Sequence, residues 1–181
     1  MSGAFSARFG TLSALVLMAA LARLLPHPPN FTPVGALALF AGMRFARLRS
    51  ALGVPLMAML LSDCLLQLLW GWGFHPQMLF VYGSFGAIAV LGTRLRRTRT
   101  WGQIAGASLV ASSLFFGVTN FGVWLSSGMY PRSMTGLAAC FAAGVPFFCN
   151  TLAGDWFYSA LIFGAFHLAE RRFPILAEQS A

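Results

Sequence analysis

The chain contains no lysine, and only four acidic residues, Asp63, Asp155, Glu170 and Glu178, stand against twelve arginines in 181 residues. With charged residues at 9% there is too little ionisable side chain to solvate a soluble domain, and that class is excluded. Cysteine is scarce as well. Cys64, Cys140 and Cys149 have neither CxxC nor His-paired spacing and lie among apolar residues, so they read as small buried hydrophobes. HExxH, a Walker-type glycine loop and a His/Cys cluster at metal-ligand spacing are all missing. Tyr82-Gly-Ser84-Phe-Gly86 lacks the glycine spacing of a GxSxG elbow and reads as continuous helix. No catalytic residue, metal or cofactor is therefore assigned, and His167, alone near the end of the last apolar run, is read as a helix-end residue.

What the chain has in excess is apolar length, with 58% hydrophobic residues and a mean hydropathy of +0.74. A crossing of the hydrocarbon core takes about 20 apolar residues. Six runs qualify: 9–25, 33–47, 52–70, 77–93, 102–125 and 150–169. Each is predicted to be helical, because lipid offers an isolated segment no other way to satisfy its backbone. The expected fold is all-α: one integral membrane domain over 1–181, a polytopic bundle of about six transmembrane helices. The second run is short, opens with Pro33 in its first turn, and is expected to tilt or to enter only part of the bilayer. Segment 126–149 starts polar and turns apolar until Pro146, and is read as a short helix at the interface rather than a crossing.

The arginines orient this bundle. Arg8, then Arg44, Arg47 and Arg49, then Arg94, Arg96, Arg97 and Arg99, then Arg171 and Arg172 occupy alternate connections and both ends, leaving only Arg23 and Arg132 on the other side. Both termini are thus expected to be cytoplasmic. The net charge of +8 is read as topology signal and contact with anionic membrane lipid, not nucleic-acid binding. Arg8 before an apolar core and Ala20-Leu21-Ala22 also have the form of a signal peptide, although the topology works with that segment retained.

Polar residues gather toward the side opposite the arginines. Asp63 interrupts the third run, and an ionisable group in hydrocarbon needs a partner or water. It is read as a ligand contact, cation site or proton acceptor, with a structural hydrogen-bonding role as the alternative. Tyr82 is expected one turn into the fourth helix, as ligand contact or interfacial anchor. Asn120 and Trp124, four apart, share a helix face. Asn30 and His27, His75, Arg132 and Asn150 lie on or beside the same-side connections. Asp155 is placed one to two turns inside the sixth helix, with Arg132 or Arg23 as its counterion. Grouped in one leaflet, Asn30, Asp63, His75, Tyr82, Asn120, Trp124, Arg132, Asn150 and Asp155 predict an outward-facing polar cavity. Toward the arginine side, Ala38-xxx-Gly42-xxx-Ala46 and Gly102-xxx-Gly106 predict close helix packing.

The strings Asn30-Phe-Thr-Pro-Val-Gly-Ala-Leu-Ala-Leu-Phe-Ala-Gly42, Met78-Leu-Phe-Val-Tyr-Gly-Ser-Phe85 and Thr119-Asn-Phe-Gly-Val-Trp124, with Tyr130-Pro-Arg through Asn150-Thr-Leu-Ala-Gly-Asp155, resemble a family of uncharacterised bacterial integral membrane proteins. That resemblance implies no activity. In size and span number the chain also looks like the S-components of energy-coupling-factor vitamin transporters, which implies a docking energising module, although Ala14, Met18 and Ala22 break the alanine face such proteins carry on the first helix. A solitary cobalamin carrier of that type would make Cys64, beside Asp63, the thiol to watch. The resulting expectation is a non-enzymatic carrier for a small-molecule solute, with Asp63 and Asp155 anchoring its polar or cationic groups and Tyr82 and Trp124 its planar part. A membrane scaffold subunit, or an intramembrane enzyme using Asp63 and Asp155 as an aspartyl pair, are the alternatives.

Overall fold

A computed structural model describes residues 2–96 and 100–176, with side chains from residue 7 onward. It is all-helical: α1 (Ser2–Leu21), a short 3-10 turn (Ala22–Leu24), α2 (Val34–Arg44), α3 (Leu48–Trp70), α4 (Met78–Arg94), α5 (Trp101–Ser126), α6 (Met134–Arg172) and a closing 3-10 turn (Pro174–Leu176). Four of these, α1 with its 3-10 turn, α3, α5 and α6, are long and apolar enough to cross a membrane. The architecture is compatible with a multi-pass membrane protein. Each apolar run thus produced one helix. The arginine-bearing helix ends meet at one end of the bundle, where Arg8 of α1 pairs with Glu170 of α6 at 2.9 Å and donates to the Leu176 carbonyl. Arg97 and Arg99 lie outside the described residues.

The last helix corrects the reading of 126–149. α6 is one helix of 39 residues that starts at Met134 and runs through Pro146. A proline removes one backbone donor and crowds the preceding turn, but bundle neighbours can re-satisfy the freed groups. The α5–α6 turn is tight, and Ser133 opens α6 by accepting the Gly136 N–H at 3.1 Å. The two helices then run antiparallel: Asn120 meets Gly144, Ser112 meets Asp155 and Ser108 meets Ser159. Asp155 consequently sits near the middle of its helix, not one to two turns from the start.

α2 organises the rest. Its 11 residues rise about 16 Å at about 1.5 Å per residue, roughly half of a hydrocarbon core. Residues 34–43 are all buried, and α2 touches every other α-helix. Arg44 marks its arginine end, so its first turn lies at mid-height. Segment 22–33 covers the remaining height beside α6, with Phe31 against the Phe157 and Tyr158 rings and the Thr32 backbone against Gly154. Within that segment Asn30 adopts φ 63°, a left-handed conformation that asparagine tolerates better than most residues.

Toward the arginine end the bundle is close-packed. Phe40 meets Phe163 and Phe166 edge-on at 5.0 and 5.6 Å. Gly42 bears out the predicted small-residue contact, its partner being α4: a Cβ there would strike the Ala89 carbonyl and Gly92. Gly102 and Gly106, by contrast, have open space beside them, so that predicted contact is not made. Gly42→Ala should therefore cost about 1–3 kcal/mol by forcing α2 and α4 apart, while Gly106→Ala should be neutral or slightly stabilising; thermal unfolding of the two variants in detergent checks the contrast.

Candidate functional site

At the far end, α1 gives way to the 3-10 turn that carries Arg23 into the bundle. Its Nη1 lies 2.6 Å from Asp63 Oδ1 and donates to Ser62 Oγ at 2.5 Å. The second Asp63 oxygen accepts from the Tyr82 hydroxyl at 2.5 Å. Asp63 is only 1% exposed, and a buried carboxylate is tolerable where charge and lone pairs are both answered. Arg23, Asp63 and Tyr82 thus tie the 3-10 turn, α3 and α4 into one cluster. The sequence pointed to a partner for Asp63 without identifying it; Arg23 and Arg132 were assigned to Asp155 instead, and that assignment is corrected here.

Asp155 has different partners. Its Oδ1 accepts the Ala36 N–H of the first turn of α2 at 2.9 Å, and its Oδ2 accepts from Ser112 Oγ at 2.6 Å. The carboxylate comes so close that any side chain at Gly35 would overlap it. Arg132 instead donates to the Leu125 carbonyl at 3.0 Å, bracing the α5–α6 turn. Trp124 braces the same turn through its ring N–H to the Pro131 carbonyl at 3.0 Å. Asn150 donates to the Pro29 carbonyl at 2.9 Å and so holds segment 22–33 against α6.

Between these ties lies a cavity of about 470 Å³, within the range of small-molecule sites. Its polar lining comes from Arg23, Asn30 and Thr32 on one side, His75 and Gln77 from the α3–α4 connection, and Thr119, Asn120 and Tyr130 from α5 and the turn after it. Val34, Phe85, Phe115 and Phe147 supply apolar wall, with the Phe85 and Phe115 rings stacked at 5.1 Å. Asn120 Nδ2 donates to the Phe116 carbonyl at 2.8 Å, and its Oδ1 occupies space left by Gly144. Arg23 also borders a second cavity of about 280 Å³, formed with His27, Leu66, Trp70 and Trp72.

Of the nine predicted residues, Asn30, His75 and Asn120 line the larger cavity. Asp63 and Tyr82 stand behind Arg23. Trp124, Arg132, Asn150 and Asp155 hold the frame and are not part of its wall. The two aspartates have separate partner sets. Cys64 is exposed although its neighbour Asp63 is buried, so that thiol faces away from the cluster. Thr32, Gln77, Thr119 and Tyr130 were missed, as was Ser112. The adjacency of Thr119 to Asn120 was the available signal; for the others one exists only once the helices are packed. Among the described residues no three His, Cys, Asp or Glu side chains converge as metal ligands.

The fold and the site define a six-helix bundle of membrane type, with a polar, aromatic-walled cavity at the end opposite the Arg8–Glu170 pair. The chain belongs to a family of unknown function (DUF6580), whose family model matches residues 4–176. No curated protein and no solved structure matches it, and the likeness to the S-components finds no support there.

Removing one member of a buried ion pair leaves the other charge unanswered at a cost of about 3–5 kcal/mol. Asp63→Leu alone is expected to show a loss of that size, and the Asp63→Leu/Arg23→Met double variant to recover at least about 1 kcal/mol of the summed single losses. A double-mutant cycle of unfolding free energies reads this coupling; strict additivity would contradict it. Asp155→Asn keeps an acceptor for Ala36 and a polar contact for Ser112, so it should retain a melting temperature close to the wild type, whereas Asp155→Leu strands a buried backbone donor and should unfold well below it.

Proposed function

We propose that the protein is a small-solute carrier of the bacterial inner membrane, with both termini cytoplasmic and the cavity open to the outside. The positive-inside bias of the arginine end supports the orientation. The observation that carries the functional reading is the 470 Å³ cavity, in which five structural elements and connections place hydrogen-bonding groups around a stacked aromatic wall.

The lining also restricts the cargo. Its one permanent charge, Arg23, is already balanced by Asp63, and the remaining polar groups are amide, hydroxyl and imidazole. A desolvated ionic ligand would find no free counter-charge, so the site suits an uncharged molecule with a flat apolar part and a hydrogen-bonding edge. Asp63 and Asp155 act through the frame in this reading, since protein groups already occupy their oxygens. Arg23 borders both cavities, so rearrangement of segment 22–33 would alter access to the binding space. Transfer then consists of capture outside, movement of that segment and α2, and release toward the arginine end, either alone or with an energising partner.

The rival reading is a membrane scaffold subunit, favoured by how many of the polar residues brace the bundle. Native mass spectrometry of the full chain in mild detergent separates the two. The wild type should retain a small molecule that the Asn120→Ala/Gly144→Leu variant, shown to remain folded by thermal unfolding, has lost. A wild type that carries lipid alone would favour the scaffold.

A further inference from the structure

A second site lies on the outer surface of the bundle, far from the cavity. α1 and α3 run parallel away from the arginine end, and between them is a trough of about 460 Å³ bordered by Phe9, Ser13 and Leu17 from α1 and by Arg49, Gly53 and Met57 from α3. Arg49 stands at its arginine end. Eight positions on, or about 12 Å further along the axis, Met57 closes the far end. Phe9, Leu17 and Met57 are exposed, so among the described residues no helix covers the trough, and Gly53 has open space where a side chain would sit.

Two polar features of the trough lack partners. Among the described residues Arg49 makes no hydrogen bond or ion pair, whereas Arg8 and Arg23 each hold a carboxylate. The Ser13 hydroxyl is shielded from solvent and has no hydrogen-bond partner there. Of the described carboxylates, Asp63 and Asp155 are buried and Glu170 already holds Arg8, so none of these three is available to Arg49. An anion carried on an apolar tail answers both the charge and the trough.

We propose that this trough binds one anionic phospholipid, with its phosphate on Arg49 and an acyl chain laid between α1 and α3 toward Leu17 and Met57. Ser13 borders the trough one helical turn beyond Phe9. A single arginine at headgroup depth distinguishes an anionic from a zwitterionic lipid by about fivefold, and the apolar trough adds affinity for either.

The test is native mass spectrometry of the full chain titrated with phosphatidylglycerol and, separately, phosphatidylcholine. The first phosphatidylglycerol adduct should form about fivefold more tightly than the phosphatidylcholine adduct. Arg49→Gln should abolish that preference and Arg49→Lys should restore it. Gly53→Leu, which enters open space without touching the backbone of a neighbour, should weaken both adducts. Equal binding of the two lipids by the wild type, an unchanged preference in Arg49→Gln, or loss of a dimer instead of a lipid adduct in Gly53→Leu would each overturn the proposal.

Discussion

A helix that begins in the middle of the bundle needs its free N–H groups answered from elsewhere, and Asp155 answers one of those of α2, the Ala36 N–H. The first turn of any helix leaves backbone donors without intrahelical partners. Where water is excluded, each unanswered donor costs several kcal/mol. The Asp155 carboxylate, carried by α6 and steadied by Ser112 of α5, reaches the Ala36 N–H across Gly35. A carboxylate is also the favoured group at that end of the helix dipole. This contact allows α2 to be half the height of its neighbours, and the half-height helix leaves segment 22–33 to run irregularly through the far half of the bundle.

The cavity follows from that irregular segment. The bent chain contributes Arg23, Asn30 and Thr32 to the cavity wall. Two ties hold it there: the Arg23–Asp63 pair to α3 and the Asn150 bond to α6. The arginine half has no comparable gap, because Gly42 and Gly92 bring α2 and α4 backbone to backbone and Phe40 fills the remaining centre. The same short helix therefore closes one half of the molecule and opens the other.

The helices themselves were legible from apolar run length, including the shortness of the second and the position of Tyr82 one turn into the fourth. Pro146 misled the reading of the sixth, since a proline interrupts a hydrophobic pattern more visibly than it interrupts a helix packed among others. That error moved Asp155 toward the surface and gave it an arginine as counterion. Its actual partners are a backbone N–H from residue 36 and a serine, groups too common to single out across such a sequence distance. Trp124 and Arg132 were placed at the correct end but turned out to brace the α5–α6 turn, because ring and guanidinium donors there reach nearby carbonyls before they reach a cavity.

The sequence alone determined that the chain is all-helical and of membrane type, that it has six apolar helices, and that all but Arg23 and Arg132 of its arginines belong to one side, because hydrophobic run length and charge placement act locally along the chain. Tertiary structure decided that α2 starts at mid-height, that Asp63 belongs to Arg23 and Tyr82 while Asp155 belongs to α2, and which side chains face a cavity. Those outcomes depend on the depth and rotation at which each helix packs against the others, and no single segment contains that information.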